Sequence, residues 1–169
     1  MVSKALNIVF RIWEFICTII IMSLIGNMIA TAFAGNPSAV NYAMFVSAFG
    51  MASLLYLIPA AIIERLQFPP LSSVLDGLNV IFWFCAAVAL PSYLHVHSCS
   101  NRWYVLHNSI TNGSHDPEKR CRMAQASTAF LWFGWVAWIV TLVISLMSIR
   151  GGANLRGGAR KPGPSMSQV

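Results

Sequence analysis

Charge is scarce in this chain, and acid scarcest of all. Five Asp and Glu stand against eleven Lys and Arg, and charged residues fill only 9% of its 169 positions. A water-soluble helical core of this size carries polar stripes along its helices. Four long stretches here carry none: Ile12–Phe33, Tyr42–Ile63, Leu71–Leu94 and Ala124–Ile149. Within them the only charged residues are Glu14 and Asp76, each near a span end. Cysteine is sparse too, and no Cys-x-x-Cys pair occurs, which argues against thiol oxidoreductase chemistry. His95, His97 and Cys99 alternate, but their spacing matches no common structural zinc pattern. No catalytic constellation, metal site or cofactor motif emerges.

What fills the space is apolar: 57% of the residues are hydrophobic. Each stretch exceeds the roughly 20 residues that cross about 30 Å of hydrocarbon as a helix. The expected fold is all-α, an integral membrane four-helix bundle over residues 1–149. Its spans are near 12–33, 42–63, 71–94 and 124–149, with an outer loop at 95–123 and a basic, disordered tail at 150–169. No room is left for a soluble domain. The first span is longer than a signal-peptide core and lacks a well-placed cleavage site, so it is expected to stay.

A net charge of +6 does not point to nucleic acid, because the cations gather at span ends. Lys4, Arg11, Arg65, Arg150, Arg156, Arg160 and Lys161 fall on one side, against Arg102, Lys119, Arg120 and Arg122 on the other. The imbalance predicts both termini cytoplasmic. Asn112-Gly113-Ser114 is a glycosylation acceptor usable only on the outer face, which agrees. Cys99 and Cys121 share the outer loop, where oxidising conditions allow a bridge; two free thiols are the alternative.

Several polar residues have two readings. Lys4, Asn7, Arg11 and Glu14 form one helical stripe, read as an anchor whose charges snorkel to water, with a proton or substrate site at Glu14 as the rival. Ser73-x-x-Asp76 has the shape of a helix-start cap, and Asn79 lies on the same face. Asp76 is therefore assigned to capping or interhelix bonding, against a proton or lipid-headgroup role. Small residues recur at four-residue spacing at Gly26, Ala30 and Ala34, at Ala48 and Ala52, and at Ala137, Thr141 and Ser145. These rows suit close intramolecular packing, with self-association as the alternative. Trp132, Trp135 and Trp138 form a row expected to meet lipid or a neighbouring helix. In the tail, Arg150, Arg156, Arg160 and Lys161 suit attraction to anionic lipid on the inner leaflet.

The loop and its flanks carry more specific residues. These are Val40-Asn41-Tyr42 with Met44-Phe45, Leu75-Asp76, Leu78-Asn79 with Phe82, and His97-Ser98-Cys99 with Asn101, then Tyr104-Val105, Asn108, Ile110-Thr111 and Gly113-Ser114. Arg120-Cys121-Arg122, Ala124-Gln125-Ala126 and the closing Ser167-Gln168-Val169 complete the set. In these the chain resembles the fungal non-classical export protein 2 family, a branch of the MARVEL-domain tetraspan proteins. Residues His115–Lys119 look longer than that family's pattern. The resemblance implies a non-enzymatic plasma-membrane protein of eisosome-associated furrows. It also implies links to domain organisation, to sphingolipid response and to export of proteins without signal peptides. Implied partners are membrane lipids (anionic lipid, sphingolipid or sterol), cytoplasmic eisosome scaffold proteins and further copies of the chain. A membrane transporter, or an accessory subunit of an export system, is the alternative function.

Overall fold

A computed structural model describes residues 4–33, 35–95 and 97–157, with the side chains of residue 64 and residues 151–157 outside that description. Four long helices carry the chain: α1 (Lys4–Ala30), α2 (Ser38–Ile62), α3 (Pro69–Leu94) and, after a six-residue α4 (Arg102–His107), α5 (Pro117–Gly157). All four long helices are apolar enough to cross a membrane. Among the described residues the only bridge of β type is the isolated pair Ala32–Ser114.

The helices overrun the expected spans because hydropathy measures the hydrocarbon stretch, while backbone pairing continues through the interface. α1 starts at Lys4 rather than at residue 12, and α5 starts at Pro117, inside the expected outer loop. α5 also keeps helical backbone to Gly157, past the expected start of the tail. Arg160 and Lys161 lie outside the described residues, as does the side chain of Arg156; Arg150 is exposed.

Proline sets the boundaries on the shorter connections. Pro37 stands just before α2, and Pro69 and Pro70 open α3, where a missing N–H costs nothing. Pro59 and Pro91 sit near the ends of α2 and α3, where their carbonyls accept from Ile63 N and His95 N at 2.8 and 2.9 Å. A 3-10 turn, Glu64–Leu66, joins α2 to α3.

Short connections make consecutive helices antiparallel neighbours. α1 packs on α2 and α5, and α3 packs on α2 and most extensively on α5, which closes the ring. The start of α1, the start of α3 and the end of α5 therefore share one end of the bundle, here the terminal end. The opposite end carries α4 and the long loop.

Large side chains interlock at the centre against glycine. Trp83 is fully buried between α2 and α5, facing Trp138 with ring centroids 6.2 Å apart. A Cβ on Gly134 would drive into the Trp83 ring, and one on Gly50 would lie 3.2 Å from its Nε1. The row Ala137, Thr141, Ser145 is buried in the same seam. Ala48 and Ala52 are a correction: both face outward, and α2 packs through Ser47, Gly50 and Ser53 on its other side. Ala30 is exposed as well, and Ala34 lies outside the described residues. The Trp row winds from partly exposed Trp132 to buried Trp138, so it divides between the outer surface and the core.

Between 28% and 39% of each apolar window is buried inside the bundle. The remainder, including Phe45, Leu55, Val74, Ile81 and Phe133, faces outward. In water that surface would be prohibitive at about 25 cal/mol per Å². In a bilayer it is the solvent contact.

Candidate functional site

The charged residues of the spans do not reach for water. At the terminal end, Arg11 of α1 grips Asp76 of α3 with both ends of its guanidinium, Nη1 to Oδ1 at 2.7 Å and Nη2 to Oδ2 at 2.8 Å. Nη1 also donates to Glu14 Oε2 at 3.1 Å, one turn along the same helix. α5 completes the cluster: Thr141 Oγ1 donates to Glu14 Oε1 and Ser145 Oγ to Asp76 Oδ2, each at 2.7 Å. The guanidinium carbon stands 5.6 Å from the centroid of the Trp138 ring, a cation–π contact. Arg11 is 2% exposed, and Glu14 and Asp76 are fully buried.

This arrangement corrects two expectations. Arg11 does not snorkel: its stripe faces the other helices, and helical periodicity cannot tell a water-facing stripe from a helix-facing one. Nor does Asp76 cap α3. That helix begins at Pro69, two residues before the expected span start, so Asp76 lies two turns in; the cap residue is Phe68, with no side-chain bond. The interhelix part of the assignment is what the geometry contains. An unpaired charge in hydrocarbon is expensive, so a bidentate, charge-assisted pair with hydroxyl support fixes which helices meet and in what register.

Asn79 continues the polar line one turn deeper. Its Nδ2 donates to Ser53 Oγ of α2 at 3.0 Å and to Leu75 O at 2.9 Å. The buried polar groups thus tie all four long helices: α1 to α3 and α5 by ions, α3 to α2 by an amide.

The loop end is braced differently. Cys99 and Cys121 form a disulfide with their Cα atoms 5.7 Å apart, joining the segment after α3 to the first turn of α5. Beside it the fully buried Arg120 satisfies acceptors from three places. Its Nε donates to Ile110 O at 2.7 Å, its Nη1 to Met28 O at 2.9 Å, and its Nη2 to Asn36 Oδ1 at 3.0 Å. Tyr104 donates its hydroxyl to Leu94 O, and burial pushes that hydroxyl above the ordinary tyrosine range. Asn108 Nδ2 donates to Tyr93 O at 2.9 Å, and its Oδ1 accepts from Ile110 N at 2.9 Å. Asn112 is exposed on the loop. His97 stacks on Tyr104 and His107 on Trp103, each with centroids 4.7 Å apart. Among the described residues no three His, Cys, Asp or Glu side chains converge as a metal site.

Two functional groupings were not read from the sequence. Arg11 and Asp76 lie 65 positions apart. Their signal was available nonetheless: one Arg and two acids, nearly alone in apolar segments, all at span ends that the topology places on the same side. Arg120 was counted as a loop cation, and nothing local marks it as the brace.

The family described as Membrane-associating domain (MARVEL) matches residues 4–144. The chain is 37% identical to Non-classical export protein 2 of Saccharomyces cerevisiae over 150 residues, covering 88% of this chain and 84% of that protein. It is 36% identical to Non-classical export protein 102 of Candida albicans over 169 residues, covering 96% and 97%. Non-classical export protein 2 homolog of Schizosaccharomyces pombe is 24% identical over 127 residues, covering 74% of this chain and 68% of that protein. No solved structure matches. The chain belongs to the MARVEL family, and it is a multi-pass membrane protein with four spanning helices.

Proposed function

We propose that this MARVEL-family bundle is a non-enzymatic organiser of plasma-membrane microdomains, the eisosome-associated furrows. In this reading it is linked to sphingolipid response and to the non-classical export for which its relatives are named. Its termini lie in the cytoplasm, where Arg65, Arg150 and the basic tail gather anionic lipid and a scaffold protein. Its outward apolar faces select lipid and sister copies.

The observation that carries this reading is the closed polar interior. All four carboxylate oxygens of Glu14 and Asp76 are taken by Arg11, Thr141 and Ser145. A carrier places open polar groups along its path, often on broken helices; here the ionised groups are spent on holding helices together. What remains for function is the lipid-facing surface and the two ends.

The test is imaging of a functional tagged protein beside a furrow marker, with and without sphingolipid depletion. Punctate co-localisation that changes on depletion supports the proposal. Uniform spread where furrows are present contradicts it. The export name favours one second reading, an accessory role in an export system. That reading gains if reconstituted protein moves solute and Asp76→Asn abolishes the movement.

A further inference from the structure

The loop end of the bundle holds a recess of about 360 Å³ between the end of α1 and the start of α5. Small-molecule sites begin at about 300 Å³. Its polar side carries Asn27, His115, Asp116 and Lys119; Phe33 and Met123 line its apolar side. The walls are held in place. Phe33 N donates to Gly113 O at 3.0 Å, and its ring meets that of His115 with centroids 4.9 Å apart. Behind them Arg120 Nη1 donates to Met28 O and Gly113 O.

The polar groups here are open, unlike those of the ion cluster. Among the described residues, Lys119 and Asp116 join no ion pair. Asp116 Oδ1 accepts from Lys119 N at 3.0 Å, capping α5, and the second carboxylate oxygen is left over. The carbonyl of Asn27 is taken by Thr31 N and Oγ1, but its side-chain amide has no partner among the described residues. That exposed amide stands in an otherwise apolar span, one turn short of the end of α1, where hydrocarbon gives way to headgroups.

We propose that the recess holds the phosphoethanolamine headgroup of a bilayer lipid, with its phosphate on Lys119 and the Asn27 amide and its ammonium on the free oxygen of Asp116. The two opposite charges select that chemistry. A headgroup with phosphate but no amine sets its negative charge against Asp116. A choline headgroup brings a cation without an N–H, so Asp116 gains no charge-assisted hydrogen bond. Ethanolamine supplies both the acceptors and the donors that the recess lacks. Free phosphoethanolamine has the same polar atoms, but only the lipid has a use for Phe33 and Met123. Met123 stands at the start of the fourth apolar stretch, so the acyl chains continue along the outer surface of the bundle. Such a site gives the lipid-selecting reading above its headgroup and rests on that reading. Nanodiscs carry no furrows, so each can fail without the other.

The experiment reconstitutes the full chain in phosphatidylcholine nanodiscs with a trace of photoreactive phosphatidylethanolamine or, separately, phosphatidylcholine or phosphatidylglycerol. Each probe bears a diazirine high in one acyl chain, and labelled peptides are mapped by mass spectrometry. Labelling around Met123 should be about threefold greater with the ethanolamine lipid than with either other, the worth of an exposed charge contact. Lys119→Met should cut ethanolamine labelling by about the same factor. Asp116→Asn keeps the cap of α5 and should erase the preference over choline lipid. Both side chains are exposed, so the bundle survives either change. Soluble phosphoethanolamine at the probe's concentration should not displace it; displacement would overturn the lipid as occupant. Equal labelling by the three probes, or a preference unchanged in both variants, would overturn the headgroup assignment.

Discussion

Replacing Arg11 and Asp76 singly and together makes the sharpest prediction about the bundle. Arg11→Met removes the only cation of the cluster and leaves Glu14 and Asp76 buried, supported only by the hydroxyls of Thr141 and Ser145. Breaking a buried ion pair from one side costs about 3–5 kcal/mol, and two stranded carboxylates put this variant at the top of that range. Asp76→Asn keeps the shape but offers one acceptor oxygen in place of two, so of the two bonds of 2.7 and 2.8 Å at best one survives, from the guanidinium to a neutral oxygen. With a charge-assisted bond worth about 1.5–3 kcal/mol, the loss of one puts the variant about 2 kcal/mol down. The double variant tests the reasoning by sign. Once Arg11 is gone, an amide at position 76 is better than an uncompensated carboxylate, so Asp76→Asn should stabilise Arg11→Met protein by about 1–2 kcal/mol. Equilibrium unfolding of the four proteins in mixed micelles reads all three quantities. If Asp76→Asn is destabilising by the same amount in both backgrounds, the two side chains are not coupled and the cluster as described is wrong.

Other parts of the fold make separate predictions. Gly134→Ala places a methyl group in the Trp83 ring and should cost about 1–3 kcal/mol through overpacking, whereas Gly77→Ala, with open space around it, should be tolerated in the same unfolding assay. Cys99→Ser with Cys121→Ser removes a link across a sequence separation of 22 and should cost about 3 kcal/mol; denatured protein treated with a mass-adding maleimide should take up two adducts in both before reduction, at Cys17 and Cys85, and after reduction four in the parent against two in the variant. Arg120→Lys keeps the charge but cannot reach Ile110, Met28 and Asn36 together, so hydrogen exchange should speed up at the loop end and leave the Trp83 layer protected. If the loop is lumenal, Asn112→Gln should remove a glycosidase-sensitive mass from cell-derived protein.

Hydrophobic length made the four spans legible, because crossing hydrocarbon demands about 20 apolar residues whatever their order. The buried row Ala137, Thr141, Ser145 was legible for a related reason: small and hydroxyl side chains are what helices in lipid pack through. Ala48 and Ala52 share that spacing and yet face outward, since a four-residue period names a face without saying what lies opposite. The helices run on past the apolar spans to Lys4, Pro117 and Gly157, because backbone pairing continues after hydropathy has fallen. Of the two roles read for Asp76, interhelix bonding is the one the structure contains; the cap was suggested by Ser73 three residues before it, while Pro69 and Pro70 had already started the helix. The Arg11–Asp76 contact was beyond local pattern. It required asking where three charged side chains in an apolar bundle could find one another.

The claim beneath this account is that the spans' charges are closed on one another inside the membrane. Dipolar recoupling in lipid bilayers, between guanidinium nitrogen of Arg11 and carboxyl carbon of Asp76, measures it directly, with Asp76→Asn assigning the signal. Recoupling should be strong, at salt-bridge range, set by N–O distances of 2.7 and 2.8 Å. Absence of recoupling, with Arg11 exchanging freely with water, would mean that the cluster stands open and that the polar groups of this bundle serve passage instead.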